Sequence, residues 1–447
     1  MTSDSAKGTF DPALSRRAFV RGGAKTLSGW GLLSASGVMA PGIVRSYESG
    51  ADSFGPLEPP DSNGLMLPPG FSSRVVAVSG SNVGTTSHAW HLNPDGGATF
   101  ESTNGGWIYV CNSETPDGGG GVGAIAFASD GTIENAYTIL SGTHRNCAGG
   151  PTPWGTWLSC EEVVGGRVYE CDPGVPSSQG TLIPGLGTFN HEAVAVDAAT
   201  EMLFLTEDRT DALLYRFIPT RYPNLQNGTL EAAEILDPQS MGPIQPGQVR
   251  SLAWHAIADA NPAAGGLQNA IHIPIAERAT RYQASDATVF NGGEGCWLRG
   301  DKVFISTKGD NRVWQLNVGA NTIEIIYDMA TSTTPELENV DNVYAAANGD
   351  VYVAEDPGSL QIVALTPSGQ VKPIVQVAGQ TNTEITGPAL SPDGTRLYFN
   401  SQRNPGTTYE VTGPFNGVSE LPFMNQLGGG VLAGALATLA ALRMRGK

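Results

Sequence analysis

Acidic and polar residues recur at the ends of short apolar segments along this chain. Six segments show the pattern, and they span Trp107–Glu114, Thr156–Glu161, Met202–Glu207, Val303–Lys308, Val351–Glu355 and Leu397–Gln402. Successive end residues are 46 or 47 positions apart, apart from one interval of 101. Carboxylates gathered in one place bind hard cations such as calcium. The regular spacing therefore indicates a structural element that repeats about every 47 residues.

A second row of polar residues precedes the first by about 14 positions. It contains Cys147, His191-Glu192, Glu294 and Asp341-Asn342, and the sequence between the two rows reads as strand, turn and strand. A hairpin brings its two ends to the same edge of a sheet. Each repeat is therefore expected to offer two polar groups side by side.

A period of about 47 residues matches the four-stranded blade of a β-propeller. The 58 glycines and 30 prolines, spread among short β-branched and aromatic runs, also indicate an all-β fold rich in turns. We predict an all-β protein, a β-propeller of six blades with a long insertion around residues 219–290. A seventh, degenerate blade around Trp254 is the alternative explanation of the long interval.

The ring arrangement would bring many acids close to one axis. The gathered set is Glu114, Cys147, Glu161, Glu162, Glu192, Glu207, Asp208, Glu294, Asp310, Asp341, Glu355 and Asp356. Crowded carboxylates raise one another's pKa and oppose folding unless cations neutralise them. Calcium suits the carboxylates, whereas a thiolate at Cys147 is a softer ligand that iron accepts. The mixture predicts more than one type of metal.

Cationic candidates for holding a phosphoryl oxygen are Arg145, Arg209, Lys308 and Arg312. Lys308 and Arg209 lie on the repeat row and rank first, while Arg145 and Arg312 are expected at the surface. His191, beside Glu192, is either a donor to a metal ligand or an ordinary hairpin residue. The sequence contains no G-x-S-x-G nucleophile elbow, no P-loop and no zinc-type array of cysteines.

The net charge and the two termini indicate which partners the protein has and where in the cell it acts. A formal net charge of −18 argues against a nucleic-acid partner. The paired arginines in Ser15–Arg21, followed by a weakly apolar stretch, predict a twin-arginine signal peptide over residues 1–45. The propeller is assigned to residues 46–416, and residues 417–447 to a linker and a hydrophobic tail that could attach to a membrane. We expect an exported monomer, periplasmic or at the cell surface.

Several motifs resemble those of the PhoX family of exported alkaline phosphatases. The most specific is the stretch from Asn146 to Glu162, NCAGGPTPWGTWLSCEE. It is supported by Asn190–Val194, Thr206–Arg209, Tyr215–Phe217, Glu294–Trp297, Thr307–Asn311 and Ala354–Asp356. The likeness extends over about residues 65 to 412.

This resemblance implies a propeller with iron (Fe) and calcium (Ca) in its channel that hydrolyses small-molecule phosphate esters. By the same resemblance Cys147 is a ligand of iron, and the other candidate metal ligands are Glu161, Glu192, Glu207, Glu294, Asp310 and Glu355, to which the repeat adds Glu114 and Asp341. The catalytic candidates are Arg209, Lys308 and His191. One position departs from the family, because Gly292 stands where relatives often carry an arginine two residues before the glutamate matching Glu294.

Two other functions fit parts of the sequence. A calcium-dependent hydrolase of the lactonase type would need no thiolate ligand. A non-catalytic, surface-tethered propeller with structural metals would explain the hydrophobic tail and Gly292.

Overall fold

The computed structural model describes residues 50–236, 244–263 and 272–415, and these residues form an all-β protein. The predicted signal peptide, the predicted C-terminal tail and two short stretches of the insertion lie outside the described residues. Within the described part, no helix is long and apolar enough to span a membrane. The five cysteines are all unpaired.

The strands pair mostly with their neighbours in the chain and form antiparallel meanders. After β1 (Leu65–Met66) and β2 (Ser72–Val78), the first meander contains β3 (Pro94–Glu101), β4 (Trp107–Ser113), β5 (Gly120–Phe127) and β6 (Ile133–Thr143). The second contains β7 (Asn146–Pro151), β8 (Trp157–Glu161), β9 (Val168–Cys171) and β10 (Thr181–Leu182). The third contains β11 (His191–Asp197), β12 (Met202–Glu207), β13 (Tyr215–Arg221) and β14 (Asn224–Ile235).

The second half of the chain repeats this pattern after the single strand β15 (Arg250–Ala256). The fourth meander contains β16 (Gly293–Arg299), β17 (Lys302–Thr307), β18 (Arg312–Asn317) and β19 (Thr322–Asp328). The fifth contains β20 (Val340–Ala345), β21 (Val351–Glu355), β22 (Gln361–Leu365) and β23 (Val371–Val377), with β1 added at its edge. The sixth contains β24 (Ile385–Leu390), β25 (Arg396–Ser401) and β26 (Thr407–Thr412). Short 3-10 turns occur at Ala51–Ser53, Pro184–Leu186, Ile275–Glu277, Thr280–Tyr282 and Lys308–Asp310.

The meanders close into a ring. Their first strands contact one another in the cyclic order β3, β7, β11, β16, β20, β24 and back to β3. The sixth meander takes its outer strand from the other end of the domain, since β2 pairs with β26. This is the arrangement of a propeller, in which the first strand of each blade lines the central channel.

The predicted insertion is partly a strand that joins two meanders. Strand β15 pairs with β14 on one side and with β19 on the other, so the third and fourth meanders share one nine-stranded sheet. Trp254 lies in this single strand, and the described residues around it do not form a further four-stranded blade. The following loop returns to the ring through Thr280–Tyr282, where Arg281 contacts Glu207 and Asp211.

Alternating apolar side chains hold neighbouring meanders together. Leu203 and Leu205 of β12 pack in one buried cluster with Leu158 and Cys160 of β8. Each fully buried leucine contributes about 1.5–3 kcal/mol relative to an exposed one. Because both faces of the inner strands are covered, the channel residues stand on a rigid frame.

Candidate metal centre

A bulge interrupts the first strand of every meander near its channel end. In five meanders the register shifts directly after the first paired residue, which is Pro94, Asn146, His191, Gly293 or Val340, and in the sixth it shifts after Thr386. Bulges of this kind redirect side chains next to functional sites. The residues that follow those five first paired residues are Asp95, Cys147, Glu192, Glu294 and Asp341.

Small residues beside the bulges let the first strands approach closely. A Cβ atom at Gly150 would overlap the carbonyl oxygen of Val194 on the neighbouring β11, and one at Gly295 would overlap the backbone nitrogen of Val343 on β20. Larger side chains at these positions would push the strands apart. The glycines therefore set the narrow spacing of the channel residues.

A second layer of side chains comes from the residue after each second strand. These residues are Glu114, Glu162, Asp208, Lys308, Asp356 and Gln402, one from each meander. Gln402 bridges neighbouring groups, because its side-chain amide donates to Asp95 Oδ2 at 2.5 Å and to Glu114 Oε2 at 3.3 Å.

Nine of these and neighbouring side chains form a contiguous cluster, which we call the acidic ring. They fall into four overlapping groups of three, and in each group the candidate ligand atoms lie within 4.8 Å of one another. The groups are Cys147, Glu162 and Glu192; Glu192, Glu294 and Asp341; Asp341, Asp356 and Glu384; and Asp95, Glu114 and Glu384. Eight carboxylates and one thiol therefore converge from five of the six meanders and from the segment that precedes β24.

Glu192 shows most directly that the acidic ring suits cations. Its side chain is fully buried, and neither carboxylate oxygen has a hydrogen-bond partner. A buried charge without a partner is strongly unfavourable unless it binds a metal or takes up a proton. Burial, and then the nearby Glu294 and Glu162, raise the pKa of Glu192 well above its ordinary value. The donor set of carboxylates and one thiol fits iron and calcium.

Other members of the acidic ring show the same crowding. Burial, followed by Asp208 and Glu114, raises the pKa of Glu162 to about 8. Burial raises the pKa of Asp341 to about 7 against the opposing effect of Lys308. The Cys147 thiol donates to Asp95 Oδ2 at 3.4 Å, and burial followed by Asp95 raises its pKa well above the usual range.

Lys308 supplies a fixed positive charge within the ring. Its Nζ lies 3.0 Å from Glu294 Oε1 and 2.7 Å from Asp356 Oδ2. Burial alone would lower the pKa of Lys308, but Glu294, Asp341 and Asp356 together raise it above its ordinary value. In the metal-free ring the side chain is therefore held as an ammonium, and it bridges two of the groups.

Comparison with known families identifies this architecture. The model of the family "Alkaline phosphatase PhoX" matches residues 128–167, 164–324 and 309–406, which together cover more than half of the chain. The chain belongs to the PhoX family of alkaline phosphatases. Members of this family are phosphoric ester hydrolases, as the motifs around Cys147 led us to expect.

Solved structures show the same fold. PhoX of Pseudomonas fluorescens, in complex with vanadate as a transition-state analogue, aligns with a TM-score of 0.65 at 16% identity, over 82% of this chain and 98% of that chain. A gluconolactonase of Xanthomonas campestris aligns with a TM-score of only 0.42 at 10% identity, over 80% of this chain and 98% of that chain. No curated protein matches the sequence. The PhoX alignment confirms the predicted propeller.

Three glutamates expected as metal ligands lie outside the acidic ring and instead accept hydrogen bonds from other backbone and side-chain groups. Glu161 accepts from the backbone nitrogens of His144 and Arg167. Glu355 likewise accepts from those of Glu338 and Gln361.

The third, Glu207, is held by Tyr215 Oη at 2.9 Å and by Arg281 at 3.0 Å. Each of the three ends a second strand, so its side chain points away from the face that the next residue presents to the channel. We propose a corrected ligand row, shifted by one residue in these meanders: Glu162 and Asp356 belong to the acidic ring, and Asp208 takes the place of Glu207 in the second layer.

Asp310 and His191 also lie apart from the acidic ring. Asp310 accepts from Thr307 Oγ1 at 2.5 Å and from Arg312 at 3.0 Å. The His191 ring packs on Phe189, its Nε2 lies 3.1 Å from Gly187 O, and burial lowers its pKa to about 3. A neutral imidazole held in this way is not available as a proton donor to a substrate.

The sequence pattern did not predict two members of the acidic ring, Asp95 and Glu384. Asp95 lies 19 residues before Glu114 in place of the usual 14 to 16, because the hairpin of β3 and β4 is longer than the others. Glu384 directly precedes β24, and the residues at this position in the other meanders are not acidic, so no repeat signals it: they are Asn93, Arg145, Asn190, Gly292 and Asn339. The glycine pair after Asp95 was the available signal, since Cys147 and Glu192 are also followed by small residues.

The departure at Gly292 has a structural basis. Gly292 has a positive φ of 66°, and a Cβ atom there would lie 3.0 Å from the backbone nitrogen of Gly309. An arginine at this position would need a different loop. Arg209, whose carbonyl oxygen accepts from Gly292 N, is exposed, and its guanidinium has no hydrogen bond or ion pair with the described residues.

Proposed function

We propose that this chain hydrolyses phosphate esters at a polynuclear site that holds iron and calcium in the acidic ring. Membership of the PhoX family supports the reaction, and the two unpartnered oxygens of buried Glu192 support the metals. Bound metals would polarise the phosphoryl oxygens and lower the pKa of water.

The ligand chemistry divides the acidic ring into two parts. Cys147, with Glu162 and Glu192, offers the softer donor set, which suits iron. The group of Asp341, Asp356 and Glu384 and the group of Asp95, Glu114 and Glu384 offer oxygen donors alone, which suit calcium. The thiol at the ring favours this function over a lactonase-type hydrolase that uses only calcium.

The two cationic side chains, Lys308 and Arg209, have different roles in this proposal. Lys308 neutralises Glu294 and Asp356 and remains charged, so it limits the number of metal ions that the ring requires. Arg209 is free to donate to a phosphoryl oxygen as negative charge develops there, in the role that an arginine at position 292 would otherwise fill. Vanadate in the Pseudomonas relative is consistent with a channel that receives a phosphoryl group.

The proposal includes the oligomeric state and the location in which the protein acts. We propose that the protein acts as a monomer after export, outside the cytoplasmic membrane, because the twin-arginine motif in Ser15–Arg21 directs folded, metal-loaded proteins across it. Whether the tail over residues 417–447 attaches the protein to the membrane is tested by fractionating cells that express the chain with and without it.

Elemental analysis and activity together test the function. Protein purified after export is expected to contain iron and calcium and to release phosphate from p-nitrophenyl phosphate at alkaline pH. Removal of metals by a chelator and the Cys147→Ala substitution are each expected to abolish the activity. Cys171→Ala, which removes a thiol buried in β9, is the matched control and should keep both metals and turnover. A fully loaded protein that hydrolyses no ester would support the non-catalytic alternative.

A further inference from the structure

A separate cavity of about 290 Å³ adjoins the acidic ring between the fifth and sixth meanders. Its lining includes Asp356, Asn382, Thr383, Glu384, Arg403 and Asn404. Asp356 and Glu384 are members of the acidic ring, so the cavity opens directly beside candidate metal ligands. A group held in it would be next to any phosphoryl group bound at the ring.

Thr383 indicates that the cavity is built for a ligand. The residue is only 9% exposed, and its hydroxyl has no hydrogen-bond partner among the described residues. A buried hydroxyl without a partner costs free energy, which a ligand's hydrogen bond would recover. The remaining lining is polar apart from Pro357.

Arg403 is the cation of this cavity. It is exposed, and its guanidinium forms no hydrogen bond or ion pair with the described residues, although Asp356 and Glu384 line the same cavity. An unpaired guanidinium presents several donors in a fixed fork. Together with the amides of Asn382 and Asn404, it offers several hydrogen-bond donors to a ligand.

We propose that this cavity binds the alcohol portion of the phosphate ester and selects small hydroxylated alcohols over aromatic ones. The inference rests on the proposed phosphatase function and adds the substrate class to it. Arg403 and Thr383 would hydrogen-bond the hydroxyl oxygens of the alcohol while its phosphoryl group lies at the acidic ring. A site built to hydrogen-bond a hydroxyl discriminates strongly against an analogue that lacks it.

Two esters and two substitutions test the proposal. Glycerol 2-phosphate carries free hydroxyls, and phenyl phosphate does not. In Arg403→Met we expect KM for glycerol 2-phosphate to rise about tenfold, because a hydrogen bond from a charged donor is lost. The value of kcat should stay within twofold. Thr383→Val, which keeps the side-chain shape, is expected to raise the same KM about threefold. The KM for phenyl phosphate should change less than twofold in both variants.

The control is Arg221→Met, which removes an exposed arginine at the end of β13 and should change neither ester. An equal rise in both KM values would show that Arg403 binds the phosphoryl group itself and would overturn the proposal, as would no change in either. If the loaded protein turns over neither ester, calorimetric titration with each ester makes the same comparison through binding alone. If the wild-type protein turns over neither ester but binds glycerol 2-phosphate through Arg403, the proposed function fails and the alcohol site stands.

Discussion

Glu161 and Glu162 are neighbours in the sequence but have different surroundings. Glu161 accepts two hydrogen bonds from backbone nitrogens, whereas Glu162 lies in the acidic ring with Cys147 and Glu192. Successive side chains of a strand point to opposite faces, so one residue separates a structural carboxylate from a candidate ligand.

This pair gives a direct test of the corrected ligand row. Glu162→Gln is expected to lower the metal content, because an amide is a weaker ligand than a carboxylate. Glu161→Gln is expected to keep the metal content and to lower the free energy of unfolding by about 1 kcal/mol through one lost hydrogen bond. Elemental analysis and urea unfolding measure the two effects. Loss of metal in Glu161→Gln but not in Glu162→Gln would instead support Glu161 as the ligand, as the sequence spacing predicts.

Lys308 should stabilise the metal-free protein. Replacing it with methionine keeps the length of the side chain but leaves Glu294 and Asp356 without their cation. We expect the free energy of unfolding in chelator to fall by about 1–3 kcal/mol, less than for a fully buried pair because the lysine side chain is 30% exposed. Lys302→Met, at the start of the strand β17 that precedes Lys308, is the control, and a similar loss in both variants would contradict the role given to Lys308.

At the scale of the strand, the bulges and their small residues place the ligands. Gly150→Val would force β7 away from β11, because its Cβ atom overlaps the carbonyl oxygen of Val194. We expect a loss of about 1–3 kcal/mol in unfolding free energy together with a lower metal content, since Cys147 and Glu192 stand on these two strands. Gly174→Ala, in an exposed turn, should leave both measurements unchanged. Unchanged metal content in Gly150→Val would show that the strand spacing does not position the ligands.

The same elements explain what the sequence could predict. Four strands per repeat produce a period near 47, so the propeller and the convergence of acids follow from spacing alone. The individual ligands do not, because a bulge or a longer hairpin changes the count by one or more residues, and a shift of one residue turns the side chain to the other face. Counting 47 from Glu114 leads to Glu161, whereas the acidic ring contains Glu162. The arginine of the insertion, Arg281, reaches Glu207 from 74 positions away and leaves no periodic signal.

At the scale of the whole molecule, the crowded acids make stability depend on pH. The folded-state pKa of Glu162 is about 8 and that of Asp341 about 7, against ordinary values of 4.5 and 3.8. The metal-free folded protein therefore holds more protons than the unfolded chain between about pH 4 and pH 8, and its stability falls as the pH rises through this window.

We accordingly expect metal-free protein to unfold at a higher urea concentration at pH 5 than at pH 8. Metal-loaded protein should show the opposite order, because protons compete with the metals for the same carboxylates. Urea unfolding in chelator and in excess calcium at both pH values measures the difference. Greater stability of the chelated protein at pH 8 would mean that the acids of the ring are not crowded in solution.

The pairing of β2 with β26 has a consequence for the order of events during synthesis. Strand β26 is made last among the described strands, yet it must meet β2 before the sixth meander is complete. A nascent chain still on the ribosome can assemble its early meanders but cannot close the propeller. We therefore expect metal binding to be complete only after β26 pairs with β2, and a polypeptide that ends before Thr407 to bind metal more weakly because its sixth meander stays open.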